Sequence, residues 1–380
     1  MNNTSYTETQ SPTLQAIFKT LEEQNELKAR QRLPTIIFLC ILIAFGIIGN
    51  ITVLVVYSLK YRSSTFRTYI LTLAIIDLLS CLIAMPVELV DNLYPLMFFV
   101  EAFCKGGRFL GYVFKIGSAF IILIMAAGRF KKICKPFSKP ISAKQARILC
   151  VMAISVAILF AWPNAIIQGT RNHYLDGGII GFDCSVDDRV KKTIYPFVYT
   201  VVLLAVYVFV FFVLVVLYTI IILKLHHHNK IEDKKHKINP RITKIMIAIT
   251  VAFILSYLPD CILDANSTFN KGNTLPPTPI VLGTLPLLAR AYFVNNVINP
   301  IIYFFGESKF RRIIKLSFTW LLSTLLNRRG EPAIQIKVSD TFGTDDKLMF
   351  TRKHTTSSTK SRATSNRISQ LEIGKLDSGL

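Results

Sequence analysis

Seven apolar runs, each long enough to cross a lipid bilayer, constrain the fold of this 380-residue chain more than any other feature. An α-helix needs about 20 apolar residues to cross the ~30 Å of hydrocarbon in a membrane. The alternative is a large water-soluble core, which would need many helices that are apolar on all sides. The sequence therefore predicts an all-α membrane protein, a seven-transmembrane helix bundle. The runs cover residues 34–59, 68–93, 103–130, 146–168, 194–225, 242–264 and 279–305.

Lysine and arginine are concentrated in alternate loops, which predicts the orientation of the bundle. The loops after the first, third and fifth runs carry 16 of them, whereas the intervening loops carry five. Basic loops of membrane proteins face the cytoplasm, so we expect the N-terminus outside and the C-terminus inside. The net charge of +21 then reflects topology and contact with anionic lipid. No basic patch interleaved with aromatic residues supports nucleic-acid binding.

The two ends of the chain are polar. Residues 1–33 are expected to form an extracellular tail, residues 34–305 the bundle, and residues 327–380 a disordered cytoplasmic tail that cannot build a core. Asn-x-Ser/Thr triplets on the outer side predict glycosylation, which makes the protein a glycoprotein. These triplets begin at Asn2, Asn3 and Asn266.

Only two of the seven cysteines fall on the outer side of this topology. Cys104 starts the third run, and Cys184 lies in the second outer loop. The outer side is an oxidising compartment, so a disulfide bond is predicted between them. It would hold the loop over the bundle.

Several polar side chains lie in the middle of the apolar runs, where a charge is expensive. Asp77 is central in the second run, and hydroxyl and amide groups lie at a similar depth. Such a set suits a cation or water, whereas hydrogen bonds between helices are the simpler explanation, at about 0.6 kcal/mol each. We expect a functional polar core. The other members are Asn50, Ser118, Asn295, Asn296 and Asn299.

An ordered set of short motifs resembles the rhodopsin-like, class A G-protein-coupled receptors over roughly residues 34–322. The resemblance implies a plasma-membrane receptor that binds an extracellular ligand and activates heterotrimeric G proteins. FFGESKFRRII, with Phe310 and Arg311, is similar to the family's short amphipathic eighth helix, expected at residues 306–326. The motifs are Gly49-Asn50, Leu73-Ala74-x-x-Asp77, Cys104, Arg129, Pro259 and Asn299-Pro300-x-x-Tyr303.

The resemblance also implies roles for single residues. Arg129 matches the arginine that meets the G protein, and Tyr218 and Tyr303 match tyrosines that move inward on activation. The tail at Thr355–Ser369 would be a kinase substrate and an arrestin ligand. A sodium ion that favours the inactive state is the one cofactor implied. Its predicted ligands are Asp77, Ser118, Asn295 and Asn299.

The chain departs from the family pattern around Arg129. The family's Asp/Glu-Arg-Tyr is Gly128-Arg129-Phe130 here, and Asn239 stands where a second acid often lies on the sixth helix. Arg129 therefore lacks its usual charged partners. Thr243, Tyr218, backbone carbonyls and lipid phosphate remain as candidates, and we expect measurable signalling without ligand.

The outer half of the bundle predicts the ligand class. Gly111 replaces the aspartate of amine receptors, Phe293 replaces the lysine of light receptors, and Tyr257 replaces the tryptophan of the pocket floor. The remaining charges favour a peptide with a basic group, of the neuropeptide kind, that would be bound by an acid of this set. Lys115 and Asp260 can also neutralise each other. The candidate ligand-binding residues are Glu88, Asp91, Arg108, Gly111, Lys115, Tyr257, Asp260, Asp264 and Arg290.

Other function classes find less support. No nucleophile with a base, phosphate-binding glycine loop or metal-ligand cluster indicates an enzyme. A transporter or channel would need a continuous polar pathway or repeated halves, and neither is visible. A receptor for a small non-peptide ligand remains an alternative. The final residues, Ser378-Gly379-Leu380, fit the pattern captured by PDZ domains.

Overall fold

The computed structural model describes residues 12–175, 178–230, 240–269 and 278–326. Seven of its helices are long and apolar enough to cross a membrane, and they match the seven predicted runs to within a few residues. The predicted bundle is therefore confirmed. We label these helices α2 (Leu33–Lys60), α3 (Thr65–Leu93), α4 (Glu101–Cys134), α5 (Ala143–Ile167), α6 (Tyr195–Lys230), α7 (Pro240–Phe269) and α8 (Pro279–Gly306).

An additional helix, α1 (Pro12–Gln31), precedes the bundle in the segment predicted only as a polar tail. Its Leu21 is buried in a small cluster with Leu96, from the loop after α3, and Ile179, from the loop after α5. The Asn25 amide donates to the carbonyl of Leu93 at 3.3 Å and accepts from the N–H of Leu96 at 3.1 Å. One buried side chain thus satisfies both groups at the end of α3, and α1 is docked rather than free.

The loop between α5 and α6 forms an antiparallel hairpin of β1 (Gln168–Tyr174) and β2 (Ile180–Val186). Cys184 of β2 is bonded to Cys104 in the first turn of α4, which confirms the predicted disulfide. Within the hairpin, Arg171 pairs with Asp183 at 2.6 Å. Burial raises the pKa of Asp183, but the hydrogen bonds and charges of Arg171 and His173 together outweigh burial and leave that pKa below its usual value. The hairpin therefore has its own ion pair in addition to its covalent link.

At the opposite end of the bundle, α2 and α8 meet the start of α9 (Ser308–Leu326). The Tyr57 hydroxyl donates to the Glu307 carboxylate, and Phe310 packs within 5.6 Å of the Tyr57 ring. A compact unit of the chain ends at Ile314. Residues Lys315–Leu326 belong to a second unit, of which the described part is helical. The location of α9 along the inner membrane face stays a prediction.

Candidate functional site

Four of the predicted ligand residues form one buried ion-pair cluster beside the hairpin, at the end of the bundle where α3 ends and α4 begins. Arg108 pairs with Glu88, and with Asp91 at 3.1 Å. Arg290 reaches the same two acids at 3.0 and 3.2 Å. The two carboxylates and the two guanidinium groups neutralise one another. Buried charges need such partners because they have lost their contacts with water. Glu88 is therefore already engaged within the chain.

The same cluster holds the hairpin in place. Arg108 donates to the carbonyl of Cys184 at 3.1 Å, and the N–H of Cys184 donates to Asp91 at 3.4 Å. Arg32, at the junction of α1 and α2, donates to the Asp91 carbonyl at 3.2 Å. Burial lowers the pKa of Arg32. The cluster thus connects three helices, the hairpin and the α1–α2 junction around one set of charges.

Deeper in the bundle, Lys115 of α4 pairs with Asp260 of α7, so the predicted internal pair is present. Its ammonium group is surrounded by four tyrosine rings from four helices. The Lys115 nitrogen lies 5.5 Å from the ring centre of Tyr112, 5.4 Å from that of Tyr207, 5.8 Å from that of Tyr257 and 4.4 Å from that of Tyr292. Ring faces attract cations within about 6 Å. We call Lys115, Asp260 and these four rings the tyrosine cage.

One acid beside the cage has no cation of its own. Asp264 follows Asp260 by one helical turn, so the two lie on the same face of α7. Its carboxylate interacts electrostatically with Lys115, but no lysine or arginine of the described residues lies within ion-pair distance of it. The buried hydroxyl of Tyr207 also lacks a hydrogen-bond partner within the described part of the chain. The cage region thus contains two carboxylates for one ammonium group.

The remaining pocket residues lie close to the cage. The Tyr257 hydroxyl donates to the Lys115 carbonyl at 3.2 Å, which fixes this tyrosine against α4. Gly111 lies one turn before Lys115, and a Cβ added there would meet only the Cβ of Ala84, at 3.5 Å. The glycine therefore leaves space rather than avoiding a clash.

Two of the amides predicted for the polar core, Asn296 and Asn299, contact Asp77 directly. Asp77 is fully buried and accepts hydrogen bonds from Asn296 at 2.9 Å and Asn299 at 2.8 Å. The direct amide neighbour is Asn296, whereas both side-chain polar atoms of Asn295 lack a partner among the described residues. Ser118 Oγ and Asn299 Oδ1 are also buried without a donor there. Buried oxygens of this kind indicate an ion or water, so these residues fit a sodium ion.

Arg129 is buried at the opposite end of the bundle in surroundings that the sequence did not predict. Its Nε donates to the Met246 sulfur at 2.7 Å, and its guanidinium lies 5.7 Å from the centre of the Phe66 ring. No carboxylate within the described ranges pairs with it. Of the expected partners, Tyr218 lies close enough to interact electrostatically with Arg129. Neither its hydroxyl nor that of Thr243 donates or accepts a hydrogen bond with Arg129. A soft sulfur and an aromatic face thus replace the acid.

The comparisons with known proteins decide the family. The family "7 transmembrane receptor (rhodopsin family)" matches residues 49–303. The chain belongs to the rhodopsin family of seven-transmembrane receptors. It is therefore a membrane receptor for an extracellular ligand and not an enzyme.

Among individual relatives, the receptor is similar to the C3a anaphylatoxin chemotactic receptor of Danio rerio, at 25% identity over 79% of each chain. It is 26% identical to neuropeptide FF receptor 2 of Rattus norvegicus over 73% of its own length and 69% of the relative. The GQ-coupled rhodopsin of Mizuhopecten yessoensis is 26% identical over 75% of the receptor. The receptor spans only 59% of that rhodopsin's length.

Sequence reasoning on the receptor missed three members of the cage, Tyr112, Tyr207 and Tyr292. Each lies in an apolar run where aromatic residues are common, so nothing singled them out. Of the predicted glycosylation sites, Asn266 is exposed on α7, whereas Asn2 and Asn3 lie outside the described residues. Asn239 and the tail segments are outside them as well. Tyr303 is buried against Tyr57 and Phe310.

Proposed function

We propose that this receptor binds an extracellular peptide carrying a basic group and, in response, activates a heterotrimeric G protein. The observation that carries the ligand class is the charge imbalance at the cage, where Asp260 and Asp264 share one cation of the described residues, Lys115. The acids of the outer cluster are already matched by Arg108 and Arg290. A cationic ligand group would therefore find its free carboxylate at Asp264.

The cage chemistry supports a cation over other ligand groups. Four ring faces and two carboxylates all favour positive charge, and cation–π contacts contribute about 0.5–2 kcal/mol each. A ligand ammonium or guanidinium beside Asp264 would also lie near Tyr112, which interacts electrostatically with this carboxylate. It would compete with Lys115 for Asp260. Relatives named as receptors for neuropeptide FF and C3a agree with a peptide ligand.

The ligand class is tested by a peptide screen read through nucleotide exchange on G proteins. Each active peptide is compared with an analogue in which the basic side chain is replaced by a neutral one of similar size. We expect the neutral analogue and the Asp264→Asn receptor each to lose at least about tenfold in potency, since a charged hydrogen bond contributes about 1.5–3 kcal/mol. Glu22→Gln, an exposed carboxylate on α1, is the matched control. Equal potency of basic and neutral peptides would reject the cationic ligand.

The orientation proposed for the receptor places α1, the hairpin and the disulfide outside, and Arg129 at the cytoplasmic face of the plasma membrane. The distribution of basic loops supports this arrangement. Arrestin at the phosphorylated tail and a PDZ protein at Ser378–Leu380 are further proposed partners, resting on sequence alone. Deleting Leu380 should abolish capture by a PDZ domain. Ligand-dependent nucleotide exchange without uptake or current in the same cells would separate the receptor from a transporter or channel.

We further propose that a sodium ion binds at Asp77. Its support is the fully buried Asp77 carboxylate, together with the buried side-chain oxygens of Ser118, Asn295 and Asn299, which accept no hydrogen bond from a described residue. A cation there would satisfy oxygens that hydrogen bonds among the described residues leave unmatched.

A further inference from the structure

A groove of about 480 Å³ runs between α7 and α8 on the lateral surface of the bundle. On α7 it follows one stripe of residues spaced by three and four positions, which is a single helix face. Two isoleucines one turn apart on α8 form the opposite wall. The residues that define it are Lys244, Ala248, Ala252, Leu255, Ile298 and Ile302.

Small side chains create the groove. Ala248 and Ala252 lie one turn apart on α7, and each ends at its Cβ, so the surface is indented between the longer side chains around them. Val251 and Leu255 are 49% and 63% exposed along its edge. Both helices belong to the membrane-spanning set, so this exposed apolar surface faces hydrocarbon.

The length of the groove matches one leaflet of a bilayer. Eleven residues separate Lys244 from Leu255, which at the helical rise corresponds to about 16 Å. Half of the hydrocarbon thickness is about 15 Å. The groove therefore suits one acyl chain that runs from the membrane surface to the bilayer midplane.

The polar end of the groove carries a positive charge. The Lys244 side chain is exposed, and none of the described carboxylates pairs with it. Arg241, one turn earlier, donates to the Ser308 hydroxyl at 2.8 Å and adds a second cation at this end. Anionic lipids are concentrated in the cytoplasmic leaflet and are attracted by lysine and arginine at its surface.

We propose that the groove is a binding site for one acyl chain of an anionic phospholipid, with the lipid phosphate paired to Lys244. This site is separate from the ligand pocket, and only the assignment to the cytoplasmic leaflet rests on the proposed orientation. A chain seated there packs against α7 and α8 together, and so contributes to holding these two helices in their present contact.

The test uses the full-length receptor in bilayers of phosphatidylserine and phosphatidylcholine with identical acyl chains. Lipids retained after release into detergent are counted by native mass spectrometry. Ala248→Trp fills the groove, and Val215→Trp makes a similar change on the lipid-facing side of α6, where Val215 is 55% exposed. Lys244→Gln removes the charge, and Lys224→Gln at the end of α6 is its matched control.

We expect Ala248→Trp to retain one phospholipid fewer than either the wild type or Val215→Trp. Lys244→Gln should keep the lipid but lose about fivefold of its preference for phosphatidylserine, while Lys224→Gln should keep that preference. Equal retention by the two tryptophan variants would overturn the site. Equal preference in the two glutamine variants would overturn the headgroup contact. A receptor dimer that Ala248→Trp disrupts, with lipid retention unchanged, would instead make the groove a protein interface.

Discussion

Two buried cations of this receptor, Lys115 and Arg129, are stabilised in opposite ways. Lys115 has a carboxylate and four aromatic rings, whereas Arg129 has a sulfur and one ring. A buried charge without a counter-charge is costly, so substitutions at or beside these two residues are expected to have large effects. Arg129 is held by weaker contacts than an acid would provide.

Gly128→Asp should reduce signalling without ligand. A Cβ at this position would lie 3.6 Å from the Tyr69 hydroxyl and 3.8 Å from Ile141, so a side chain fits. The new carboxylate would pair with Arg129 and accept from the Tyr69 hydroxyl, which has no partner among the described residues. A gain of about 1.4 kcal/mol in the inactive state lowers the active fraction about tenfold.

Nucleotide exchange on a G protein, without ligand and at equal surface expression, measures this effect. Gly128→Asn is the neutral control of the same size and should change signalling much less. If the wild type is silent without ligand and Gly128→Asp changes nothing, Arg129 is already restrained by other contacts.

Lys115→Met should destabilise the receptor more than the double substitution Lys115→Met with Asp260→Leu. The single change leaves Asp260 buried and unpaired, at about 3–5 kcal/mol, whereas the double change replaces both charges with apolar groups. The thermal midpoint of the purified receptor in detergent reports the difference. Equal midpoints for the single and double variants would show that Asp260 does not depend on Lys115.

At the scale of elements, α1 and the hairpin form one layer over the same end of the bundle. Asn25 of α1 contacts the loop after α3. Leu21 of α1 is buried in a cluster with Ile179 of the hairpin. The disulfide and the Arg108 hydrogen bond tie the hairpin to α4. The layer therefore depends on a few specific contacts, which can be removed one at a time.

Leu21→Asp should release α1 from this layer, because burial of a leucine side chain contributes about 1.5–3 kcal/mol. Hydrogen exchange should then accelerate in α1 and in the loop at Leu96. Leu27→Asp, at a position 56% exposed on the same helix, is the control and should leave exchange unchanged. Slow exchange in both variants would mean that Leu21 does not hold α1 in place.

Cys104→Ser and Cys184→Ser should each lower surface expression and abolish the ligand response. The bond links residues 80 positions apart, and loss of a native disulfide commonly destabilises by about 2–5 kcal/mol. Surface labelling and signalling assays measure both effects. Normal signalling from both single variants would show that the pocket forms without the bond.

At the scale of the whole molecule, the Asp77 core joins α3 and α8 through the hydrogen bonds from Asn296 and Asn299. Sodium bound there would stabilise one arrangement of the helices, and an agonist would favour another. Two ligands that prefer different states must weaken each other's binding.

Raising the sodium concentration should therefore lower agonist affinity and raise the thermal midpoint of the receptor. Asp77→Asn should remove both effects, because it removes the charge that binds the ion. Potassium chloride at equal ionic strength controls for screening. A sodium effect of the same size in Asp77→Asn would place the ion elsewhere.

The sequence alone determined the seven helices, the disulfide and the family. These follow from local properties, since apolar length defines a span and short motifs mark single helices. Only the tertiary structure decided which charges meet. Lys115 and Asp260 are 145 positions apart, and the rotation and packing of four helices bring both together with three unforeseen tyrosines. The same packing paired Glu88 and Asp91 with Arg108 and Arg290, and it placed Met246 beside Arg129. It also docked α1 and left Asp264 without an ion-pair partner among the described residues. Contacts between helices depend on geometry that sequence spacing does not record.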